Sequence, residues 1–534
     1  MKNRIICLLC ALMLLAAAAC AESRETLVQL SEDIITVGGE AISQDASHSV
    51  YLALETQTHE DVPEELKALE NRVVVIADAG VYRISGTASD TQLAVRADKS
   101  DDVRLILDGV TLSCRTAPAI AILSARDPRI AGEYGVTIEL ADGSENSIIG
   151  SHTKAADEDG LEYDGAIGSQ VSLGFEGSGS LTVDADNEGI EVASGHLTIN
   201  GGVFSIAACD DPLNVAEDGV GTLTINDGYV YSCVKPLEGG EGDGIDSNGY
   251  IVFNGGTAIN LAHPNSQDGG IDSDMGSTIN GGVIVGAGNM YDPIEEDSAQ
   301  LFMMLEFAEA TNKLVVVTDE NDVPVFAYDF PHDYMYIAFS TPNLKEGRYH
   351  VYLGGEIEGT AINGLYSDIT SYVPGERMQH GEGNAQMRRS MPMPDMSDMP
   401  QDGRQPGGMP QAPDGMGDKW KDVMAYQQAL EAIDLNELLK DVDLNALLKA
   451  LDLNALLSAY DVSELLSEAQ IAEYFGDIDV QAIQEMDRGF SRGFGGGFGM
   501  GGGPRSLQSS SDTATDVFFL SKDSTGFTNV QTAD

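Results

Sequence analysis

Positive charge is scarce in this sequence: Lys and Arg number 29 against 86 Asp and Glu, a formal net charge of −57. Such a surface repels nucleic acid and anionic membranes alike, which excludes electrostatic docking on either. Tryptophan occurs once in 534 residues, and aromatics make up only 6%. Glycine is abundant instead, with 60 residues, which suits a turn-rich β protein better than an α/β enzyme. Cysteine is too sparse for a disulfide framework. Cys7, Cys10 and Cys20 fall in an N-terminal leader, leaving Cys114, Cys209 and Cys233, an odd number. Cys209 and Cys233 fall on neighbouring repeats, so one bridge stays open beside the plainer expectation of three buried thiols. Catalytic triads, zinc motifs and phosphate-binding loops are also missing; Gly239-Gly240-Glu241-Gly242 lacks the following Lys-Ser/Thr.

The leader itself reads clearly. Met1-Lys2-Asn3-Arg4 is a basic start, and Ile5 to Ala19 is an apolar run too short to span a bilayer. Two processing routes are open. Ala17-Ala18-Ala19-Cys20 resembles a lipobox, which would anchor Cys20 through lipid, and Ala19-Cys20-Ala21 fits signal-peptide cleavage with release. Either route predicts an extracellular protein, secreted or held at the cell surface.

Two signals recur on one cycle. Leu-Thr-Ile-Asn-Gly-Gly-Val at 197–203 returns as Leu-Thr-Ile-Asn-Asp-Gly-Tyr at 223–229, Ile-Val-Phe-Asn-Gly-Gly-Thr at 251–257 and Ser-Thr-Ile-Asn-Gly-Gly-Val at 277–283. Short β-branched strands separate turns at this period, a coil length that predicts a parallel β-helix, an all-β solenoid. The second signal is an acidic turn: Glu188-Gly189-Ile190, Asp211-Pro212-Leu213, Asp243-Gly244-Ile245 and Asp268-Gly269-Gly270-Ile271. A solenoid stacks equivalent residues in columns. Glu188, Asp211, Asp243 and Asp268 are therefore expected to align, with Glu191, Asn214, Asp246, Asp272 and Asp274 as a second set. Coils lie about 4.8 Å apart, so each stacked pair repels by about 1 kcal/mol in water and by more when desolvated.

Between residues 157 and 297 the only Lys or Arg is Lys235, so the protein offers almost no cation to neutralise these acids. Asp, Asn and Gly form turns whatever their function, but recurrence at one phase of the coil points further. Hard oxygen ligands on turns suit calcium better than magnesium. Asp243, Asp246, Asp268, Asp272 and Asp274 form the densest candidate metal sites, followed by Asp210, Asp211, Asp186 and Glu188.

These residues resemble the bacterial calcium-binding, carbohydrate-binding right-handed parallel β-helix proteins, relatives of pectate lyases. The resemblance rests on Gly80-Val81-Tyr82-Arg83-Ile84-Ser85-Gly86-Thr87, Val103-Arg104-Leu105-Ile106-Leu107-Asp108-Gly109-Val110, Ile138-Glu139-Leu140-Ala141-Asp142-Gly143-Ser144-Glu145-Asn146, Gly177-Ser178-Gly179-Ser180-Leu181-Thr182-Val183 and the acidic turns. It covers about residues 30–375 and implies stacked calcium ions and binding of acidic polysaccharide such as polygalacturonate. Pro212 and Gly269 depart from the pattern. Two alternatives stand beside non-catalytic binding. One is a calcium-dependent lyase, which needs a base near the uronate C5; Lys235 is the only candidate in the acidic zone. The other is a surface scaffold or adhesin that calcium rigidifies.

The expected organisation is a signal peptide over 1–21, an N-terminal cap over 22–72 with one short helix near 61–71, and the parallel β-helix over 73–300. An antiparallel β module over 301–375 follows, packed on the end of the solenoid, then a Met-, Pro- and Gly-rich disordered linker over 376–418. Residues 419–487 carry a nine-residue repeat, Asp434-Leu435-Asn436-Glu437-Leu438-Leu439 and its returns at Asp443, Asp452 and Asp461. It reads as short Asp-capped helices, with residues 434–470 open to a protein partner or self-association. The Gly-rich tail over 488–534 is expected to be disordered.

Overall fold

The structure, a computed structural model, describes residues 25–41, 50–52, 72–152, 163–381, 514–522 and 524–533, all within one compact unit. The leader, the expected helix near 61–71, the linker beyond residue 381 and the nine-residue repeats lie outside the described residues. Residues 376–381, expected to open the disordered linker, belong instead to the strand Leu365–Gly381, held by pairing with Gly347–Ile362 and with the closing strands.

Three parallel sheets wind into a β-helix. The first runs from Thr26–Leu30 through Gly80–Ala88, Val103–Ser113 and Val136–Leu140 to Leu173–Gly177, His196–Ile199, Thr222–Ile225, Tyr250–Phe253 and Gly276–Ile279. The second holds Glu145–Gly150, Ser180–Ala185, Val203–Ala208, Tyr229–Val234, Thr257–Leu261 and Val283–Gly288. The third has nine strands, from Val50–Leu52 to Asp272–Ser273. Alternation on each strand sets what faces in. In Ser180–Ala185, Leu181, Val183 and Ala185 are buried while Thr182 and Asp184 are exposed. Stacking then makes apolar columns, such as Leu181, Phe204, Val230, Ala258 and Ile284. Phe175 and Phe204 meet edge to face at 5.3 Å, a geometry aromatic pairs favour.

The Asn-Gly-Gly turns join the first sheet to the second. Their second glycine adopts a left-handed backbone at Gly202, Gly228, Gly256 and Gly282, with φ between 71° and 99°. That requirement explains why Asp227 is tolerated at the first glycine position and nothing replaces the second. The asparagines form a ladder: Asn226 Nδ2 donates to Asn200 Oδ1 at 2.7 Å, Asn254 to Asn226 at 2.7 Å and Asn280 to Asn254 at 2.9 Å. Asn254→Ala removes two of these bonds and is expected to lower stability by about 1–2 kcal/mol, measured as a shift in the urea midpoint.

Two further boundaries need correction. Thr26–Leu30 pairs in parallel with Gly80–Ala88, so the solenoid starts inside the stretch expected to be a separate cap over 22–72. Val28 and Leu30 are buried in the same core, which is why this strand belongs to the coil. The tail is also not disordered throughout. Phe518–Leu520 pairs with the strand Gly347–Ile362, and Gly526–Thr532 pairs with Phe302–Thr311 and Leu365–Gly381. Phe518, Leu520, Phe527 and Val530 complete a second core, and their burial holds this segment in place.

That core joins antiparallel strands to the coil in two ways. Tyr334–Ser340 pairs antiparallel with Val283–Gly288, covering the open edge of the second sheet. Phe326, Phe339 and their neighbours also pack on Ile259, Leu261 and Val285, the outward side of that sheet.

Candidate functional site

The acidic turns connect the second sheet to the third, and the third-sheet register fixes their alignment. Glu191 pairs with Asn214, Asn214 with Asp246 and Asp246 with Asp272, so these four form one column across four coils, and Asp274 lies outside it, two residues past Asp272. Counting back along the same strands places Glu188 beside Asp211 and Asp211 beside Asp243. Asp243 then meets Gly269 rather than Asp268, because Gly269-Gly270 adds one residue to that turn. Gly244 N donates to Gly269 O at 2.9 Å, consistent with this register. The expected single column of Glu188, Asp211, Asp243 and Asp268 is thus corrected: Asp268 moves one place, beside Gly242, whose N–H it accepts at 2.7 Å.

Backbone N–H groups from neighbouring coils knit the ladder together. Asp211 Oδ1 accepts from Asp243 N at 2.7 Å, and Asp243 Oδ1 from Gly269 N at 2.5 Å. Glu191 Oε2 accepts from Asp164 N at 2.8 Å and Gly165 N at 3.2 Å. Asn214 Nδ2 donates to Glu188 Oε1 at 2.7 Å. Glu188 and Asn214 are each only 8% exposed, yet Glu188 Oε2 and Asn214 Oδ1 have no hydrogen-bond partner. Two buried oxygens without a donor, inside a cluster of acids, are a costly arrangement for the protein alone.

The proton affinities agree. Burial first, then the neighbouring carboxylates Glu191 and Asp211, push Glu188 well above the usual range. Asp211 is raised well above it by burial and then by Asp246 and Asp210, and Asp243 by burial and then by Asp272 and Asp211. Burial lifts Asp210 to about 6, and Glu191 and Asp246 to about 7. Asp272 reaches about 9 through burial and its hydrogen bond with Asp292. Asp274 is exposed and raised by burial and by Asp292. Among the described residues, no Lys, Arg or His forms an ion pair with Glu188, Glu191, Asp210, Asp211, Asp243, Asp246, Asp268 or Asp272.

Two expected members sit elsewhere. Asp186 is exposed and turned to Ser151, whose Oγ donates to it at 2.7 Å, and to His152 at 3.3 Å. Lys235 is not free beside the ladder, because its ammonium is bound by Asp184 and by the carbonyl of Ala185. Cys114, Cys209 and Cys233 are all free thiols, so the Cys209–Cys233 bridge is not formed. Asp292 was missed by sequence reasoning; it follows the last acidic turn in Tyr291-Asp292-Pro293, outside the repeating motif.

A metal ion here would have to be held by these side chains. Among the described residues, no group of three or more Asp, Glu, His or Cys is already arranged around one point to hold an ion. The donor chemistry fits nonetheless: hard oxygens only, two of them buried and unpartnered, with a surplus of negative charge.

The molecule is therefore a parallel β-helix protein carrying an acidic ladder along one of its turns. Residues 70–312 match the family model described as carbohydrate-binding domain-containing protein. A curated carbohydrate-binding domain-containing protein of Acetivibrio thermocellus is 33% identical over 143 residues, which is 26% of this chain and 47% of that protein. The chain thus spans about half the length of the curated relative it matches. A solved structure, the gadolinium derivative of a polysaccharide lyase-like protein from C. thermocellum, aligns over 49% of this chain and 93% of the other. It does so at 22% identity and a TM-score of 0.32.

Proposed function

We propose that this chain is an extracellular carbohydrate-binding protein that holds calcium on the ladder from Glu188 to Asp272 and through it binds acidic polysaccharide. The observation that carries the proposal is the pair of buried, unpartnered oxygens, Glu188 Oε2 and Asn214 Oδ1, among carboxylates that no cation of the described residues pairs with. The match of residues 70–312 to a carbohydrate-binding family supports the glycan half of the reading. Glu188, Asn214, Asp211, Asp243, Asp246 and Asp272 would hold the ions. Bound calcium would supply positive charge and open coordination positions for uronate carboxylates. Without it a chain of net charge −57 repels an acidic glycan. The leader over 1–21 supports export, with Cys20 as the lipid-bearing residue if the anchor forms.

Binding without catalysis is the favoured reading because Lys235 is committed to Asp184 and Ala185. A base for β-elimination must present a free lone pair near the substrate. The test uses the full chain with polygalacturonate, with calcium and with chelator. Retention is expected in calcium only, and Asp211→Asn with Asp243→Asn is expected to weaken it at least tenfold. Lys235→Ala is expected to bind as the parent does, with no unsaturated product from either protein. A product that depends on Lys235 would establish the lyase instead.

A further inference from the structure

A second polar site lies on the early coils, far along the chain from the ladder. Gly80, Val81, Asp102, Val103, Arg104, Arg126, Tyr134, Gly135 and Thr137 line an open cleft of about 400 Å³. That volume lies within the ~300–1,000 Å³ typical of small-ligand sites. Val81, Arg104 and Thr137 form one row across three coils, with Gly174 next. Tyr134 covers this glycine: a Cβ there would come within 2.3 Å of the ring. The absent side chain is what lets the ring lie against the sheet.

A network of ion pairs and hydrogen bonds fixes the polar groups. Arg104 binds Glu139 at 2.6 Å and Glu176 at 2.8 Å, and Arg126 binds Asp102 at 2.6 Å. Arg126 also donates to the Tyr134 carbonyl at 3.0 Å, and Tyr134 Oη donates to Glu176 at 2.7 Å. Neither arginine is sealed off, with side-chain exposures of 38% and 39%.

Charge decides the class of ligand. Three carboxylates against two guanidinium groups leave the network one charge negative, so an acidic sugar gains nothing here. Neighbouring sugar hydroxyls both donate and accept. Carboxylate oxygens beside guanidinium N–H groups answer both needs, and a half-exposed aromatic ring adds a face for the sugar's apolar side.

We infer that the Asp102–Arg104–Arg126–Tyr134 cleft is a binding site for a neutral oligosaccharide, separate from the acidic ladder and independent of calcium. The inference rests on the carbohydrate-binding reading, but not on calcium or on an acidic glycan.

The experiment is titration calorimetry of the full chain in EDTA with cellohexaose, xylohexaose and mannohexaose. Binding of at least one is expected. Asp102→Asn is near-isosteric at a side chain that is 66% exposed, and Thr137→Tyr adds bulk to the cleft wall. Each is expected to weaken that binding at least about tenfold while the melting temperature stays that of the parent. Binding unchanged in either folded variant, or absence of binding to all three sugars, would overturn the inference. Polygalacturonate retention in calcium, measured on the same variants, reads the ladder alone. Its loss in the parent would sink the acidic-glycan reading and leave the cleft standing.

Discussion

Stripped of divalent ions, the protein is expected to lose stability as pH rises from 5 to 8.5, and calcium is expected to restore it most at the upper end. The direction follows from the ladder. Glu191 and Asp246 are raised to about 7 and Asp272 to about 9, from ordinary values of 4.5, 3.8 and 3.8. Each therefore holds its proton more tightly folded than unfolded. Their favourable contribution is complete below the unfolded pKa, near 4, and is lost as pH climbs through 7 and 9. A shift of a few pKa units corresponds to a few kcal/mol per group. Summed over a coupled column, the melting temperature should fall by about 10 °C between the two pH values in chelator. Calcium that binds only the folded chain offsets this by mass action. Scanning calorimetry with and without EDTA measures both effects. Asp211→Asn separates the ladder from the general repulsion of a chain this negative: it is expected to raise the chelated protein's stability at pH 8.5 and to blunt the gain from calcium. A melting temperature that rises with pH in EDTA would contradict the scheme.

Removing residues 382–513 and joining 381 to 514 through a short turn is expected to leave a folded protein, whereas ending the chain at 381 is expected to unfold its C-terminal half. His380 pairs with Thr515 and Gly381 with Ala514, so the two ends of the deleted stretch already lie side by side in an antiparallel pair. A β-turn of two to four residues closes such a pair. Truncation removes Phe518, Leu520, Phe527 and Val530 from the second core. Burial of each is worth about 1.5–3 kcal/mol, and together they rival the roughly 5–15 kcal/mol that stabilises a typical domain. The contrast is read by circular dichroism melts and by limited proteolysis of the two proteins. Equal stability of both would show that the second core does without its last strands.

Sequence carried the first sheet well because its turns are conformationally strict. Asn200, Asn226, Asn254 and Asn280 are spaced by the same 26, 28 and 26 residues that separate Leu197, Leu223, Ile251 and Ser277 in the register. The third sheet was harder to read. Its steps are 23 residues from Ile190 to Leu213, 32 from Asn214 to Asp246 and 26 from Asp246 to Asp272. The loop from Lys235 to Gly242 and the extra glycine at 269–270 absorb the difference, which is why Asp268 was placed one position off. Motif matching aligns letters, while hydrogen bonds align backbones.

The closing strands at 514–533 were hidden by the low-complexity stretch before them. Their own signal was present: Val517-Phe518-Phe519-Leu520 and Phe527 with Val530 are apolar enough to require a core. The cleft at Asp102, Arg104, Arg126 and Tyr134 was not legible from motifs, since its members come from different coils and share no spacing. What the sequence did offer was a bias, arginine gathered in the coils before residue 130 and absent from those after it up to residue 297.

The pairing of His380 with Thr515 and Gly381 with Ala514 has a mechanical meaning as well. Tension that draws the two ends of residues 382–513 apart acts across this pair at its open end. The bridges there open one after another, as a zipper does, at low force. The parallel coils beyond are joined by many bonds across each sheet, so the base of the insertion yields first and spares the β-helix from a sudden pull.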